Sequence, residues 1–221
     1  MMGFNLEFSI ALLITLVVGL SFHEFGHAAM ATKMGDPTPR LQGRLTLNPV
    51  KHLDPAGAFF LVFMAFAGFG FAWGKPVQTN PAYYSNYRQG TILVAVAGPA
   101  MNLCLAMLAI AVGFVLYQGN VPLSSFGSTL LFAFIYVNLL LMIFNLLPIP
   151  PLDGGHVVEQ VLPWDLRHKF RRIQAFGLLI ILALWFTGIL GRIIGFIFSI
   201  LMFLIGLGFG QGYVEYLFGG F

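Results

Sequence analysis

The chain has 221 residues, 58% of them hydrophobic and only 9% charged, with a mean hydropathy of +0.87. A soluble domain carries about 25% charged residues, so too little polar surface exists here to cover a globule in water, and secreted, cytosolic and nucleic-acid-binding readings fall. The net charge of +3 and the pI near 9.2 arise from basic residues in short connections, which suits the positive-inside rule of a membrane protein better than a nucleic-acid partner.

The first apolar run, Phe8 to Phe22, reads as a retained helix and not as a cleaved leader. No basic residue precedes it, Glu7 is the nearest charge, and no small-x-small site follows before Glu24. At its end stands His23-Glu24-Phe25-Gly26-His27, an H-E-x-x-H pattern whose histidines differ by about 40° around a helix and share one face, so that both can grip one zinc ion. Chance order would produce the pattern about 0.002 times in a chain of this composition. Ionisable groups at the end of an apolar helix are costly unless they face a cavity or each other, and are functional by default. The competing account is a buried histidine–glutamate hydrogen-bond cluster or a proton relay.

Lys33, Arg40, Arg44 and Lys51 follow, and they place segment 33–51 on the cytoplasmic side. Ala56 to Trp73 is next, apolar but near the lower length limit for a span and rich in glycine. If the first helix ends inside and the helix starting near 91 also begins inside, the chain between them makes no net crossing, so this stretch is expected to re-enter. A half-helix would return through 68–74, and Val77 to Asn80 would continue as a short strand. A plain span is the competing reading. The windows 91–117, 128–147, 173–190 and 193–217 are each long and apolar enough to cross. The uncharged connection 118–127 is external, and segment 165–172, with Arg167, Lys169, Arg171 and Arg172, is cytoplasmic. The expectation is an all-α polytopic membrane protein of about five to six transmembrane helices, with a re-entrant segment or short strands between the first helix and the one starting near 91. It forms one domain over 1–221, with a catalytic core of 8–160 and accessory helices at 173–217. No repeat of fixed period is evident, which argues against inverted-repeat transporters. Cys104, the single cysteine, lies in an apolar run and packs as a small hydrophobe.

Catalytic zinc keeps three protein ligands and one open position. Beyond the two histidines, the remaining acids and histidines outside the chain ends are Asp36, His52, Asp54, Asp153, His156, Glu159, Asp165 and His168. Asp153 fits best, because it directly follows an apolar span in Pro148-Ile149-Pro150-Pro151-Leu152-Asp153-Gly154-Gly155, where prolines stop the helix and glycines allow close approach. An Asp-Gly turn at a membrane surface is its bland alternative. Glu24, next to the first ligand, is the natural general base. No nucleophile elbow is present.

This combination of His23-Glu24-x-x-His27 with Asn145-Leu-Leu-Pro148-x-Pro150-x-x-Asp153-Gly154 resembles the site-2 protease family of intramembrane zinc metalloproteases. Gly43-Arg44 through Gly57, Trp73-Gly74-Lys75-Pro76-Val77-x-x-Asn80-Pro81 and Ala97-Gly98-Pro99-x-x-Asn102 extend the resemblance over about residues 8 to 160, within the compact bacterial-type branch. It implies that His23, His27 and Asp153 hold one Zn2+ per chain, that Glu24 is the base, and that Asn145 holds the substrate backbone or the developing oxyanion. Asn102 is a weaker substrate-binding candidate, equally readable as interhelical glue. His52 and Asp54 are read as capping or turn residues and not as ligands, and Trp73 as an interfacial anchor. The implied substrates are membrane-anchored proteins cut in or near their transmembrane segments, with the site toward the cytoplasmic side of a bacterial-type cell membrane. No nucleic acid is involved. The PDZ and CBS modules common in the family have no room here, which leaves regulation to the membrane core, a homo-oligomer or an unidentified partner. A transporter or metal- or proton-handling protein using the same His/Glu/Asp cluster is the alternative function, with a silent scaffold behind it.

Overall fold

A computed structural model describes residues 6–67 and 73–218. Three long helices form the centre: α1 (Leu6–Lys33), α5 (Tyr87–Gln118) and α6 (Ser125–Asn145), each packed on the other two. Between α1 and α5 come two single turns, α2 (Thr38–Leu41) and α3 (Pro49–His52), and the apolar α4 (Pro55–Ala67). After α6 follow α7 (Asp153–Val161), α8 (Trp164–Gln174), α9 (Gly177–Phe186), α10 (Ile189–Phe209) and α11 (Gln211–Phe218).

The local sequence sets these boundaries. Glu7 and Lys33 sit at the ends of α1 that favour their charges. The side chains of Asn86 and Ser124 cap α5 and α6, accepting from the Gln89 and Gly127 amides at 2.9 and 3.1 Å. Past Asn145 the prolines at 148, 150 and 151 forbid continuation of α6.

Among the described residues, α1, α5, α6 and α10 are long and apolar enough to cross a membrane, while α4 and α9 are shorter apolar helices. This is fewer than the five to six spans expected. The longest continuous helix in the window 173–190 is the ten residues of α9, about 15 Å, because α8 ends at Gln174 and the chain turns at Gly188 with a φ of +71°. The window 193–217 likewise breaks at Gly210, where φ is +90°. Both left-handed positions suit glycine alone.

Two ends of the helical body are distinguishable. Ser125 donates to Glu7 at 2.7 Å and Tyr216 donates to the Val121 carbonyl at 3.3 Å, which gathers the starts of α1 and α6 with α11 at one end. At the other end Leu190 of α10 packs with Leu147, Leu152 and Ile181. Helix α10 therefore runs the length of the body, closing at the far end on Ala106, Ile110, Ile135 and Tyr213.

The two ends of segment 55–73 lie side by side: Leu53 and Gly74 form an antiparallel bridge, and Lys75 donates to the His52 carbonyl at 2.7 Å. The half-helix expected through 68–74 lies outside the described residues over 68–72. The short strand expected at Val77 to Asn80 is not formed. Its amides are drawn to carboxylates instead of a neighbouring strand: Val77 donates to Glu24 at 2.8 Å and Asn80 to Asp36 at 2.6 Å.

Helices α1 and α5 approach closely because small residues meet there. A Cβ on Gly26 would sit 2.6 Å from the Ala97 carbonyl oxygen, so a larger residue must separate the helices, as small residues at membrane helix interfaces avoid. Gly26→Val is expected to destabilise the fold by about 1–3 kcal/mol, read as a lower thermal unfolding midpoint in detergent. Gly191→Val, at a position where a Cβ meets nothing within 4 Å, is the control and should leave the midpoint unchanged.

Candidate metal centre

His23 and His27, one turn apart near the end of α1, both face α5. The wall opposite their rings is Gly98, where a Cβ would overlap His27 Nε2. Pro99 beside it has no N–H, so the helix ladder lapses at the Ala95 carbonyl, next to Val94. The Val94 carbonyl accepts from His27 Nδ1 at 2.7 Å. A carbonyl only accepts, so Nδ1 carries a proton, and in the neutral ring the Nε2 lone pair is left for a metal.

His23 is fixed by a longer chain of bonds. Its Nδ1 meets Asn102 Oδ1 at 2.7 Å, while Asn102 Nδ2 donates to the Gly19 carbonyl and to Asn138 Oδ1, each at 3.0 Å. Asn138 Nδ2 in turn donates to the Phe134 carbonyl at 2.9 Å. Two backbone carbonyls thus determine which way both amides point, and Asn102 can offer His23 only its oxygen. Nδ1 of His23 carries the proton, and its Nε2 is left as an acceptor. Asn102 and Asn138 are fully buried. Asn102 does not line the cavity, so the substrate-binding expectation for it gives way to one of holding His23, and sequence reasoning passed over Asn138 altogether.

Asp153 opens α7. Gly154 and Gly155 let that turn fold under the end of α6, since a Cβ on Gly155 would sit 2.8 Å from the Pro150 nitrogen and one on Gly154 would meet the Leu146 and Leu147 carbonyls. Asp153 Oδ2 lies 3.3 Å from His23 Nε2 and 3.4 Å from His27 Nε2, and the two Nε2 atoms are 3.1 Å apart. With both rings neutral and protonated on Nδ1, three lone-pair atoms face one another and Asp153 Oδ2 is buried without a hydrogen-bond donor. Such an arrangement calls for a positive charge, which a metal ion would supply. Ligands about 2.0–2.1 Å from a tetrahedral zinc are separated by about 3.3–3.4 Å, so the donor set fits zinc in kind and in spacing. These three residues are a metal-competent cluster among the described residues.

Glu24 is almost buried, and its Oε2 accepts the Val77 amide at 2.8 Å. The segment around Val77 is held by the Leu53–Gly74 bridge, by Asp36 on the Asn80 amide, and by the buried Arg44 guanidinium, which donates to the Lys51 and Lys75 carbonyls. Burial lowers the Arg44 pKa from its ordinary value, opposed by the Glu24 charge. His52 donates from Nε2 to the Thr46 carbonyl at 2.7 Å, and Asp54 caps α4 by accepting from Ala56 and Gly57 at 3.0 Å each.

The three-residue cluster, Glu24 and Val77 border one cavity of about 750 Å³. Leu16, Leu20 and Met64 line its apolar end, Thr79, Pro81 and Tyr84 its other end, and His23, Glu24, His27 and Asp153 the middle. Half-buried Asn145 faces it, with Nδ2 donating to the Leu141 carbonyl at 2.9 Å. Trp73, Trp185 and His156 also border it.

The profile of peptidase family M50 matches residues 11–132 and 115–188. The chain belongs to peptidase family M50. This is the site-2 protease family that the motifs implied, and the chain is an integral membrane zinc metalloprotease. Among its M50 relatives is a Bacillus subtilis protein assigned as zinc metalloprotease YwhC, 40% identical over 180 residues, which covers 80% of each chain. A Mycobacterium tuberculosis protein assigned as zinc metalloprotease Rip2 is 32% identical over 183 residues, covering 78% of this chain and 68% of its own. No solved structure matches. Membership of a peptidase family disfavours the transporter alternative.

Residues that orient metal-binding histidines commonly cost 10–100-fold in affinity when replaced. Asn102→Leu is therefore expected to weaken zinc binding by about that factor, and Gly98→Val to abolish it by displacing both rings. Competition with a chromogenic chelator measures both.

Proposed function

We propose that this protease cuts membrane-anchored proteins in or near their transmembrane segments, with His23, His27 and Asp153 as the zinc ligands and Glu24 as the general base. One observation carries the reading: three metal-ligand atoms converge at 3.1, 3.3 and 3.4 Å, and Glu24 borders the same cavity. Zinc held there would acidify a water molecule and polarise the scissile carbonyl.

The chain's own residues then divide the work. Glu24 takes a proton from the attacking water at its carboxylate and delivers it to the leaving amide nitrogen, while the Val77 amide keeps that carboxylate turned toward the cavity. Asn145, whose Nδ2 already donates to Leu141, orients the substrate backbone beside the carbonyl under attack. Asn102 is a positioning residue, acting through His23. The apolar wall of Leu16, Leu20 and Met64 accepts the part of the substrate still in the bilayer, and a locally unwound segment exposes its peptide bond to water from the other end.

We place the metal centre toward the cytoplasmic side of a bacterial-type cell membrane. In support, Lys33, Arg40, Arg44, Lys51 and the basic α8 lie in the connections on that side of the sequence, where positive charge is retained. We assign 55–73 as re-entrant, because the flanking Leu53 and Gly74 are neighbours and an odd crossing would separate them. The whole chain acts as one membrane domain. Substrate selection then rests with this domain, an oligomer or a separate partner.

Purified in detergent, wild type is expected to hold near one zinc per chain by elemental analysis and to cleave a model single-span substrate. Glu24→Gln should keep the metal and lose cleavage by at least about 100-fold. Asp153→Ala should lose both, and full zinc with full turnover in that variant would remove Asp153 from the ligand set.

A further inference from the structure

Helix α8 has three stripes. Arg167 and Arg171, four residues apart, face α7: Arg171 pairs with Glu159 at 2.6 Å, and Arg167 donates to the Gln160 and Leu162 carbonyls at 3.2 Å each. Leu166, Phe170 and Ile173 form an apolar stripe, with Leu166 and Ile173 exposed. His168, Lys169 and Arg172 form the third, also exposed, with Asp165 alone of opposite sign beside them in the first turn. An amphipathic helix with a basic face and an exposed apolar one lies in the plane of a membrane interface.

The surroundings fix its depth. Two residues after α8 begins α9, whose Leu178, Leu179, Leu182, Trp185 and Phe186 are all exposed, an apolar surface suited to a bilayer, yet α9 is too short to cross. Gly177 at its start packs on the Pro150 carbonyl, three residues before Asp153. Helix α8 is thus held at the level where the hydrocarbon ends on the metal-centre side. Among the described residues Lys169 and Arg172 form no ion pair, Asp165 being the one acid on their face of α8, and a cluster of Lys and Arg beside a membrane helix is complementary to anionic headgroups.

We propose that α8 docks on the anionic lipid headgroups of the leaflet nearest the metal centre, and that this docking sets the position of α7 and so of Asp153. Lys169, Arg172 and protonatable His168 take the headgroup phosphates, and the Leu166 and Ile173 side chains enter the acyl boundary. The Arg171–Glu159 pair and the Arg167 bonds pass the placement to α7, the nine-residue helix that Asp153 begins. The second half rests on Asp153 being a zinc ligand; the first does not.

The test uses the full chain in nanodiscs of phosphatidylcholine alone and of phosphatidylcholine mixed with phosphatidylglycerol. Amide hydrogen exchange over 164–174 is expected to slow about fivefold or more with the anionic lipid, to recover in high salt, and to lose its lipid dependence in the Lys169→Gln/Arg172→Gln variant. Zinc affinity should tighten in the same discs, whereas Glu159→Gln should keep the exchange effect and lose the affinity effect. Equal wild-type exchange in both lipids, or a full difference in the double variant, overturns the docking. Lipid-dependent exchange with lipid-independent zinc affinity overturns the coupling to Asp153. Because exchange needs no turnover, the Glu24→Gln protein gives the same answer, so a failure of the protease assignment is separately visible.

Discussion

Two imidazole nitrogens and a carboxylate oxygen, whose lone pairs repel when both rings are neutral, are held within 3.4 Å in the interior of an apolar helical body, and the rest of the structure is arranged around that constraint. A histidine left free would rotate and turn its Nε2 away. Here it cannot, because each ring has its Nδ1 proton committed to an acceptor anchored on α5, and a positive charge shared among the three atoms must relieve the repulsion. The acceptor for His27 is a backbone carbonyl next to a proline. The acceptor for His23 is an amide whose own orientation is dictated by Gly19 and, through Asn138, by Phe134. Interhelical hydrogen bonds in membranes average about 0.6 kcal/mol, so this relay adds little to stability. Its worth lies in the single tautomer it permits.

That relay spans α1, α5 and α6, which explains why these three helices sit so close. Gly19 lies 3.0 Å from Asn138 Oδ1 at its Cβ position, Gly26 meets α5 backbone, and Gly98 leaves room for both imidazoles. Small residues here serve chemistry and packing together. Where chemistry is absent the packing changes character: the far end, around Ile110, Ile135 and Tyr213, is filled with large apolar and aromatic side chains.

The histidines, Glu24 and Asp153 are legible in the sequence because each is costly in an apolar chain and stands in a tight pattern that local rules explain. Their partners are much less so. Asn138 has no motif around it, and its purpose appears only when α6 lies against Asn102. Val77 enters through its backbone, which the residue type does not betray. The break within 173–190 was hidden for a related reason: hydropathy registers α9 and its flanks as continuous, while the turn at Gly188 depends on one left-handed residue whose companions Gly191 and Gly195 sit inside regular helix. The path of 77–80 was misread as strand because Glu24 and Asp36, distant in sequence, claim the amides that a neighbouring strand would have used.

The contact between Val77 and Glu24 has a consequence for how such a protein can change over generations. The donor is a main-chain N–H, common to every residue type but proline. Side chains along 75–79 that border the cavity can therefore drift to suit new substrates while the carboxylate keeps the same partner. The proposed substrate preference and the proposed proton transfer would then draw on different atoms of one short segment, side chains for the first and a main-chain N–H for the second, so the first is free to diversify without eroding the second.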